Sequence, residues 1–264
     1  MNSVSRTAEQ YDRRRSQIEQ YFDRTAVQAW ARLTSDAPVS GVRATVRAGR
    51  ESMRRQIVSW LGTEDAARAT APESRLAGTH LLDAGCGTGM LSIDAARLGA
   101  KVAAVDLSAT LVSLAAERLP EDIPADAIRF SSGDMLDPDL GEFDYLVTMD
   151  ALIHYSPLMA VQALAGCAPR VRRSMIFTFA PANPLLMTMF ALGRLFPRGD
   201  RSPAIWPVSL ATLTRLIGLE PALRGWRIGR TGRVTRGFYI SQALELVRVP
   251  EAPAGASSAK REAV

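Results

Sequence analysis

Thr79-His80-Leu81-Leu82-Asp83-Ala84-Gly85-Cys86-Gly87-Thr88-Gly89-Met90 is the stretch around which this chain is organised. A short apolar run ends in an acid, three alternating glycines follow, and a helical pattern begins after the third of them. Glycine permits a turn with positive φ and lets a ligand approach bare backbone. The first turn of a helix offers free N–H groups and the positive end of a dipole. The stretch therefore predicts a strand, a ligand-binding loop and a helix.

The spacing of the glycines distinguishes two kinds of nucleotide ligand. A dinucleotide-binding loop reads G-x-G-x-x-G, whereas here the glycines alternate and an acid stands two residues before the first. The next apolar run, Lys101–Val105, is followed by Asp106, about where an acid binds ribose hydroxyls. This form resembles motif I of class I S-adenosylmethionine (SAM) methyltransferases. The resemblance implies SAM as cofactor, bound by Asp83, Gly85, Cys86, Gly87, Asp106 and Leu107; a tight turn without a ligand is the alternative.

Strands alternate with helices from residue 79 to residue 179, which predicts a doubly wound parallel sheet. The predicted strands are Thr79–Asp83, Lys101–Val105, Ala127–Ser131, Phe143–Met149 and Ser174–Phe179. Two further strands, Leu223–Thr231 and Val234–Leu246, predict an antiparallel hairpin around Gly232. We therefore expect an α/β fold with a Rossmann-like, mostly parallel seven-stranded sheet, an antiparallel C-terminal hairpin and an N-terminal helical cap.

The flanking segments predict the organisation of the chain. Residues 1–62 are expected to form a helical lid or arm, in which Arg13-Arg14-Arg15 is most simply a solvated face. Residues 63–249 are the predicted SAM-binding domain, and within it segment 182–206 is expected to cover the substrate. Its apolar part is Asn183–Phe196, for which a buried or half-buried helix is the alternative, and Pro197–Trp206 is a basic loop. Residues 250–264, rich in Ala, Ser and Pro, predict a disordered tail.

Composition limits the class of protein. Hydrophobic residues make up 47% of the 264 and charged residues 22%, as in a globular chain with a large core. No stretch reaches the ~18–20 apolar residues that span a bilayer. Met1–Arg15 lacks the apolar region of a secretory signal, and two cysteines, Cys86 and Cys167, are too few for a disulfide framework. A cytoplasmic location is therefore expected.

Charge is segregated along the chain. Residues 61–190 hold 9 basic and 16 acidic residues, a net charge of −7. Residues 1–60 hold 11 basic and 6 acidic residues, and residues 191–264 hold 12 and 5, so both flanks are basic. The basic flanks are expected to face an anionic small molecule, an acidic partner, nucleic acid or a membrane surface.

Acids lie where the predicted strands end. Right-handed crossovers place the C-terminal ends of parallel strands on one edge of the sheet, where ligands bind. Gly133-Asp134-Met135 follows the third strand and resembles the third methyltransferase motif, in which the acid accepts from the adenine amino group and the next residue covers the ring. A turn or capping role is the alternative for Asp134. Asp150, after the fourth strand, is a further expected cofactor contact.

The segment Asp150-Ala151-Leu152-Ile153-His154-Tyr155 lies where a methyl acceptor would meet the cofactor. The chain has two histidines. His80 stands at the start of the first strand, away from the ligand edge, and is expected to be structural. His154 is therefore the candidate catalytic residue, and a hydrogen-bonded loop histidine is the alternative.

Several segments together resemble the magnesium protoporphyrin IX methyltransferase family. They are Tyr21–Thr25, Trp30, Val46–Arg50, Asp83–Gly89, Asp150–Tyr155, Phe179–Pro181 and Arg236–Tyr239. The resemblance implies transfer of the SAM methyl group to one propionate of Mg-protoporphyrin IX, in chlorophyll or bacteriochlorophyll synthesis. The chain departs from the family at Thr34, where relatives from oxygenic organisms carry a tyrosine thought to act at the active site, so that role does not transfer.

The resemblance also implies a substrate site and partners. A propionate has a pKa near that of Glu, about 4.3, so it is already ionised at neutral pH and His154 is expected to orient it rather than act as a base. The expected substrate contacts are Tyr21, Trp30, Tyr155, Met187 and Phe190. Mg²⁺ would arrive within the substrate, with no metal site in the protein. A transient complex with the porphyrin-binding subunit of Mg-chelatase and at most a peripheral contact with the photosynthetic membrane are implied.

Three alternatives stay open at this point. A SAM methyltransferase acting on a quinone or phenol would need a base and would speed up with pH. A methyltransferase of RNA or protein fits the isoelectric point of about 9.7, but the chain shows no nucleic-acid module, and we expect no nucleic-acid partner. A non-catalytic protein with this fold is the third, and the intact acids argue against it.

Overall fold

The computed structural model describes residues 3–26, 41–63, 74–182 and 203–250. Seven strands in these ranges form one sheet in the order β3-β2-β1-β4-β5-β7-β6. The strands are β1 His80–Ala84, β2 Lys101–Asp106, β3 Ile128–Ser132, β4 Phe143–Thr148, β5 Val171–Phe179, β6 Trp226–Arg236 and β7 Tyr239–Arg248. The principal helices are α1 Ser3–Gln20, α2 Val42–Trp60, α3 Met90–Arg97, α4 Ala109–Glu117, α5 Pro157–Cys167 and α6 Leu210–Leu219. A π-helical segment, Tyr21–Ala26, extends α1.

The first five strands are parallel, and β7 and β6 complete the sheet in antiparallel orientation. This confirms the predicted α/β class and seven-stranded sheet. The central strands carry apolar residues on both faces because helices cover both faces. Leu81 packs with Met53 of α2 and Leu91 of α3 on one face. Leu82, one residue later, packs on the other face with residues of α5 and α6, such as Leu164.

Three of the helices begin at a serine. Ser108, Ser156 and Ser209 are the N-caps of α4, α5 and α6, and each side chain accepts a hydrogen bond from the backbone N–H three residues ahead. Such a cap satisfies one of the free N–H groups of a helix start. These caps fix where each helix begins beside the ligand edge.

The C-terminal hairpin turns at Gly237, and the predicted turn at Gly232 is wrong. Arg236 pairs with Tyr239, which leaves a two-residue loop whose first residue, Gly237, has φ +55°. Glycine at that position suits the turns that connect twisted antiparallel strands. Gly232 instead lies inside β6, where the side chain of Gln56 from α2 occupies the space beside its Cα. A glycine within a strand can mark close approach rather than a turn.

The N-terminal helices contact the sheet in two different ways. Met53 and Ile57 of α2 are buried against the sheet. Helix α1 lies at the edge of the sheet where ligands bind. Its residue Ile18 belongs to the core on the face opposite α2, the face that also contains Leu82. The boundary predicted at residue 62 stays a prediction; the tail from residue 251 and residues 183–202 of the predicted covering segment lie outside the described residues. None of the described helices is long and apolar enough to cross a membrane.

Candidate active site

The described residues enclose a cavity of about 380 Å³ at the C-terminal edge of the parallel strands. This volume lies in the range of small-molecule sites. Its lining includes these residues predicted from the sequence: Asp83, Gly85, Cys86, Gly87, Asp106, Leu107, Asp134, Met135, Asp150, His154 and Tyr155. The cavity thus brings together the predicted cofactor loop and the candidate catalytic histidine.

The glycine loop gives the cavity one wall of bare backbone. Gly85 and Gly87 have φ values of +79° and +54°, which side chains rarely adopt. A Cβ added at Gly85 would lie 2.5 Å from the Cβ of Ala151, so the loop packs directly against the segment after β4. A Cβ added at Gly87 would meet no protein atom within 4 Å. Open space beside Gly87, in a residue that lines the cavity, is what a bound ligand requires.

Asp106 holds the glycine loop in place. Its carboxylate accepts from the N–H of Gly87 at 2.8 Å and from the N–H of Ser108 at 2.9 Å. Burial raises the pKa of this carboxyl, and the backbone hydrogen bonds oppose that shift. Each oxygen keeps a second lone pair, so the group can still accept from ribose hydroxyls.

Asp83 is the most deeply buried acid of the site. Burial raises its pKa to about 7, although the Ser92 hydroxyl donates to it at 2.6 Å. Cys86 also lines the cavity, and burial raises its thiol pKa well above the ordinary value. A protonated thiol is a poor nucleophile, which agrees with a packing role for Cys86.

Asp134 is bound by two side chains of α1. The Tyr11 hydroxyl donates to Oδ1 at 3.0 Å, and Arg15 forms an ion pair with Oδ2 at 3.1 Å. The N–H of Leu136 also donates to Oδ1. The interpretation of Arg13-Arg14-Arg15 as a solvated face is therefore wrong for Arg15.

Arg14 contradicts the same interpretation. Its Nε donates to the backbone oxygen of His154 at 2.7 Å, and Nη2 donates to the backbone oxygen of Ala204 at 2.8 Å. Asp23, just after α1, accepts from the Ser108 hydroxyl at 2.6 Å. The N-terminal segment therefore contacts the loops after β2, β3 and β4. These contacts could not be predicted from the apolar periodicity of α1, because they join residues far apart in the chain.

His154 is buried, with 5% of its surface exposed, and lies in a short 3₁₀ turn, Leu152–His154. Burial lowers its pKa to about 4, and the neighbouring charge of Arg14 acts in the same direction. Nδ1 is buried and has no hydrogen-bond partner within the described part of the chain. The imidazole is therefore neutral at pH 7, and its Nδ1 is available for a hydrogen bond with a ligand.

Aromatic side chains surround this histidine. Phe22 meets the His154 ring edge-on with centroids 5.7 Å apart, and Tyr11 stacks on Tyr155 at 5.4 Å. Phe22 and Tyr11 both line the cavity, whereas Tyr21 does not and packs its ring against Phe22. Sequence reasoning missed Phe22 as a site residue because its apolar spacing only indicated a helix.

The other predicted substrate contacts lie outside the described residues. They are Trp30, Met187 and Phe190. Thr34, where the family pattern is broken, lies outside them as well. The roles assigned to these positions stay predictions.

Comparison with known proteins identifies the family. Residues 148–248 match the family described as magnesium-protoporphyrin IX methyltransferase C-terminus, and residues 81–174 match a general methyltransferase domain. The magnesium-protoporphyrin O-methyltransferase of Rhodobacter capsulatus is 43% identical over 88% of this chain and 95% of that protein. The chain belongs to the magnesium protoporphyrin IX methyltransferase family. This confirms the resemblance seen in the sequence.

Solved structures agree with membership of the magnesium protoporphyrin IX methyltransferase family. The enzyme of that name from Synechocystis PCC 6803, with bound SAH, matches with a TM-score of 0.74 and 29% identity, over 88% of this chain and 99% of that one. A second structure of the same enzyme, with bound SAM, has a TM-score of 0.71. A relative outside the family, a ubiquinone biosynthesis O-methyltransferase of Ralstonia nicotianae, is 32% identical over 70% of this chain and 82% of its own length.

Proposed function

We propose that this protein transfers the methyl group of SAM to a propionate carboxylate of Mg-protoporphyrin IX, giving its monomethyl ester. Family membership supports the substrate. The observation that carries the chemistry is the place of His154, buried and uncharged, on the cavity that the glycine loop also lines.

The cofactor site suits SAM by charge and shape. SAM supplies an electrophilic methyl group on a positively charged sulfur, and the cavity lining holds five acidic side chains against three arginines, which favours a cation. The open space beside Gly87 admits the cofactor against bare backbone. Asp106 would accept from the ribose, while Asp134 and Met135 would hold the adenine. Because Oδ2 of Asp134 accepts only from Arg15 among the contacts above, it can also accept from an amino group.

His154 suits an orienting role better than a basic one. A carboxylate acceptor is ionised at neutral pH and needs no base. A histidine with a pKa of about 4 is a weak base; its neutral ring keeps one N–H, for which the backbone of Pro203 and Ala204 competes with a substrate carboxylate. His154 would therefore hold the carboxylate in line with the methyl group, which lowers the barrier by restricting its orientation.

The surroundings of His154 would remove water from that carboxylate. Phe22 and Tyr155 lie beside the histidine, and Leu152 is buried in the same turn. Exclusion of water makes a carboxylate a stronger nucleophile. The contacts of Arg14 and Tyr11 with the site support a lid role for residues 1–62. Segment 182–206 would cover the flat porphyrin ring of the substrate.

The His154→Gln and His154→Ala variants test this assignment. We expect kcat to fall by about 10²-fold or more in His154→Ala, while the KM for the porphyrin and SAH binding stay near wild type. His154→Gln, which keeps a donor, should retain more activity than His154→Ala. Full turnover in His154→Ala with normal substrate affinity would overturn the role of His154.

Methylation of a quinone precursor is the second candidate, favoured by the likeness to the ubiquinone biosynthesis enzyme. A phenol has a pKa of about 10 and must lose a proton. His154, with a pKa of about 4, is poorly matched to that task. Turnover of a catechol faster than of Mg-protoporphyrin IX, rising with pH, would favour this candidate.

Two proposals about partners follow from the family resemblance. We propose a transient complex with the porphyrin-binding subunit of Mg-chelatase, and a cytoplasmic location with at most peripheral contact with the photosynthetic membrane. Co-sedimentation with anionic vesicles tests the membrane contact, and titration of the chelatase subunit by calorimetry tests the complex.

A further inference from the structure

Asp150 has an unusual backbone conformation. With φ +57° it is the only residue other than glycine with positive φ in the described part of the chain. A left-handed conformation costs an ordinary residue energy, although Asp and Asn tolerate it better than most. Such a conformation persists when the surrounding contacts hold it in place.

The contacts that hold Asp150 come from three separate elements. Arg50 of α2 donates to Oδ2 at 2.7 Å, and the hydroxyl of Tyr239 in β7 lies 3.1 Å from both carboxylate oxygens. The hydroxyl of Thr178 in β5 lies 3.2 Å from Oδ1 and accepts from the Asp150 N–H at 2.7 Å. The Asp150 side chain is only 6% exposed.

Gly49 lets α2 approach closely enough for these bonds. A Cβ at Gly49 would lie 2.5 Å from a ring atom of Tyr239. The helix therefore lies directly on Tyr239, and Arg50, the next residue, reaches Asp150. Gly237, in the hairpin turn, lies in the same way against Thr45 of α2.

The segment that Asp150 begins makes two contacts that matter for the site. The Cβ of Ala151 occupies the space beside Gly85 of the cofactor loop. The backbone oxygen of Ala151 accepts from the N–H of His154 at 3.3 Å. The backbone position of Asp150 therefore sets the glycine loop and the histidine relative to each other.

We propose that Asp150 is a positioning residue, whose carboxylate, held by Arg50 and Tyr239, fixes the turn that places Ala151 against Gly85 and His154 on the cavity. Its effect on the cofactor passes through this turn rather than through the direct contact expected from the sequence. The part that concerns His154 rests on the proposed function, and the part that concerns the cofactor loop does not.

Tyr239→Phe is the decisive variant because Tyr239 does not line the cavity. Loss of a hydrogen bond to a charged group changes an equilibrium constant by about tenfold or more. We expect SAH affinity and kcat each to fall by about tenfold, with the porphyrin KM unchanged, under conditions where the variant is fully folded.

A double-mutant cycle shows whether the effect passes through Asp150. Asn keeps the tolerance for positive φ and removes the charge, so Asp150→Asn is the partner variant. In that background the Tyr239 hydroxyl can donate only to a neutral amide oxygen, so Tyr239→Phe should reduce SAH affinity by a smaller factor than in wild type. Thr178→Val removes another hydroxyl that donates to Asp150 from outside the cavity. Combined with Tyr239→Phe, it gives a second cycle, in which the loss of SAH affinity in the double variant should be smaller than the product of the two single losses.

Asp122→Asn is the matched control. It makes the same substitution in an Arg–Asp pair, but Asp122 and Arg97 are exposed and do not line the cavity. It should leave SAH affinity and kcat within twofold of wild type. SAH titration needs no porphyrin, so it tests the proposal even if wild-type protein does not methylate Mg-protoporphyrin IX. Wild-type SAH affinity in Tyr239→Phe, or an equal loss in both backgrounds of the cycle, would overturn the proposal.

Discussion

Replacement of His154 by Asn should change how the stability of the fold depends on pH. The folded pKa of His154 is about 4, whereas an unperturbed histidine has a pKa of about 6.5. Between these values the unfolded chain binds more protons than the folded one. Stability therefore rises with pH across this window, and it is lost as pH falls from about 6.5 towards about 4.

The size of the effect follows from the same two values. At pH 5 protonation of the unfolded histidine disfavours the fold by about 2 kcal/mol, and at pH 8 by almost nothing. Asp83 contributes with the opposite sign, because its folded pKa of about 7 exceeds the ordinary value of 3.8 and its contribution falls as pH rises. Comparison of wild type with His154→Asn removes the Asp83 contribution, which both proteins share.

Urea unfolding at pH 8 and pH 5 measures this difference. The free energy of unfolding of His154→Asn, relative to wild type, should increase by about 2 kcal/mol from pH 8 to pH 5. Equal m-values in the two proteins provide the control for two-state unfolding. A relative stability that is the same at both pH values would refute the burial of a neutral His154.

Three further variants test other parts of the structure. Gly85→Ala should weaken SAH binding more than tenfold in a titration, because its Cβ would lie 2.5 Å from a neighbouring Cβ. Gly141→Ala is the control: Gly141 also has a positive φ of +92°, but the space beside it is open and it does not line the cavity. SAH binding should be unchanged in this variant. Glu245→Gln should destabilise the fold by about 3 kcal/mol in urea unfolding, because Glu245 is buried and bonded to Arg230; an unchanged free energy of unfolding would contradict this. Ser108→Ala should cost about 1 kcal/mol in the same assay through loss of the helix cap, and a free energy of unfolding equal to that of wild type would contradict this.

The sheet and the cofactor loop could be predicted from the sequence because their signals are local. The apolar run of β4 is buried on both faces, and β1 to β4 each end at or near an acid. The stretch from Asp83 to Gly89 contains its own turn chemistry, since the positive φ values fall on its glycines. These features depend on residues close together in the chain.

Contacts between distant segments could not be predicted in this way. Arg15 lies 119 residues from Asp134, and Arg50 lies 100 residues from Asp150. On a helix, an arginine in a polar stripe looks the same whether it faces solvent or a carboxylate from another element. The hairpin turn at Gly237 was missed for a related reason: a glycine that marks close approach, Gly232, resembles one that marks a turn.

An assay of the purified protein with methyl-labelled SAM tests the central claim most directly. The labelled methyl group should appear in a monomethyl ester of Mg-protoporphyrin IX, identified by mass spectrometry, with little or no ester from metal-free protoporphyrin. Absence of ester from either porphyrin, with SAM binding intact, would contradict the assignment of this protein as a Mg-protoporphyrin IX methyltransferase.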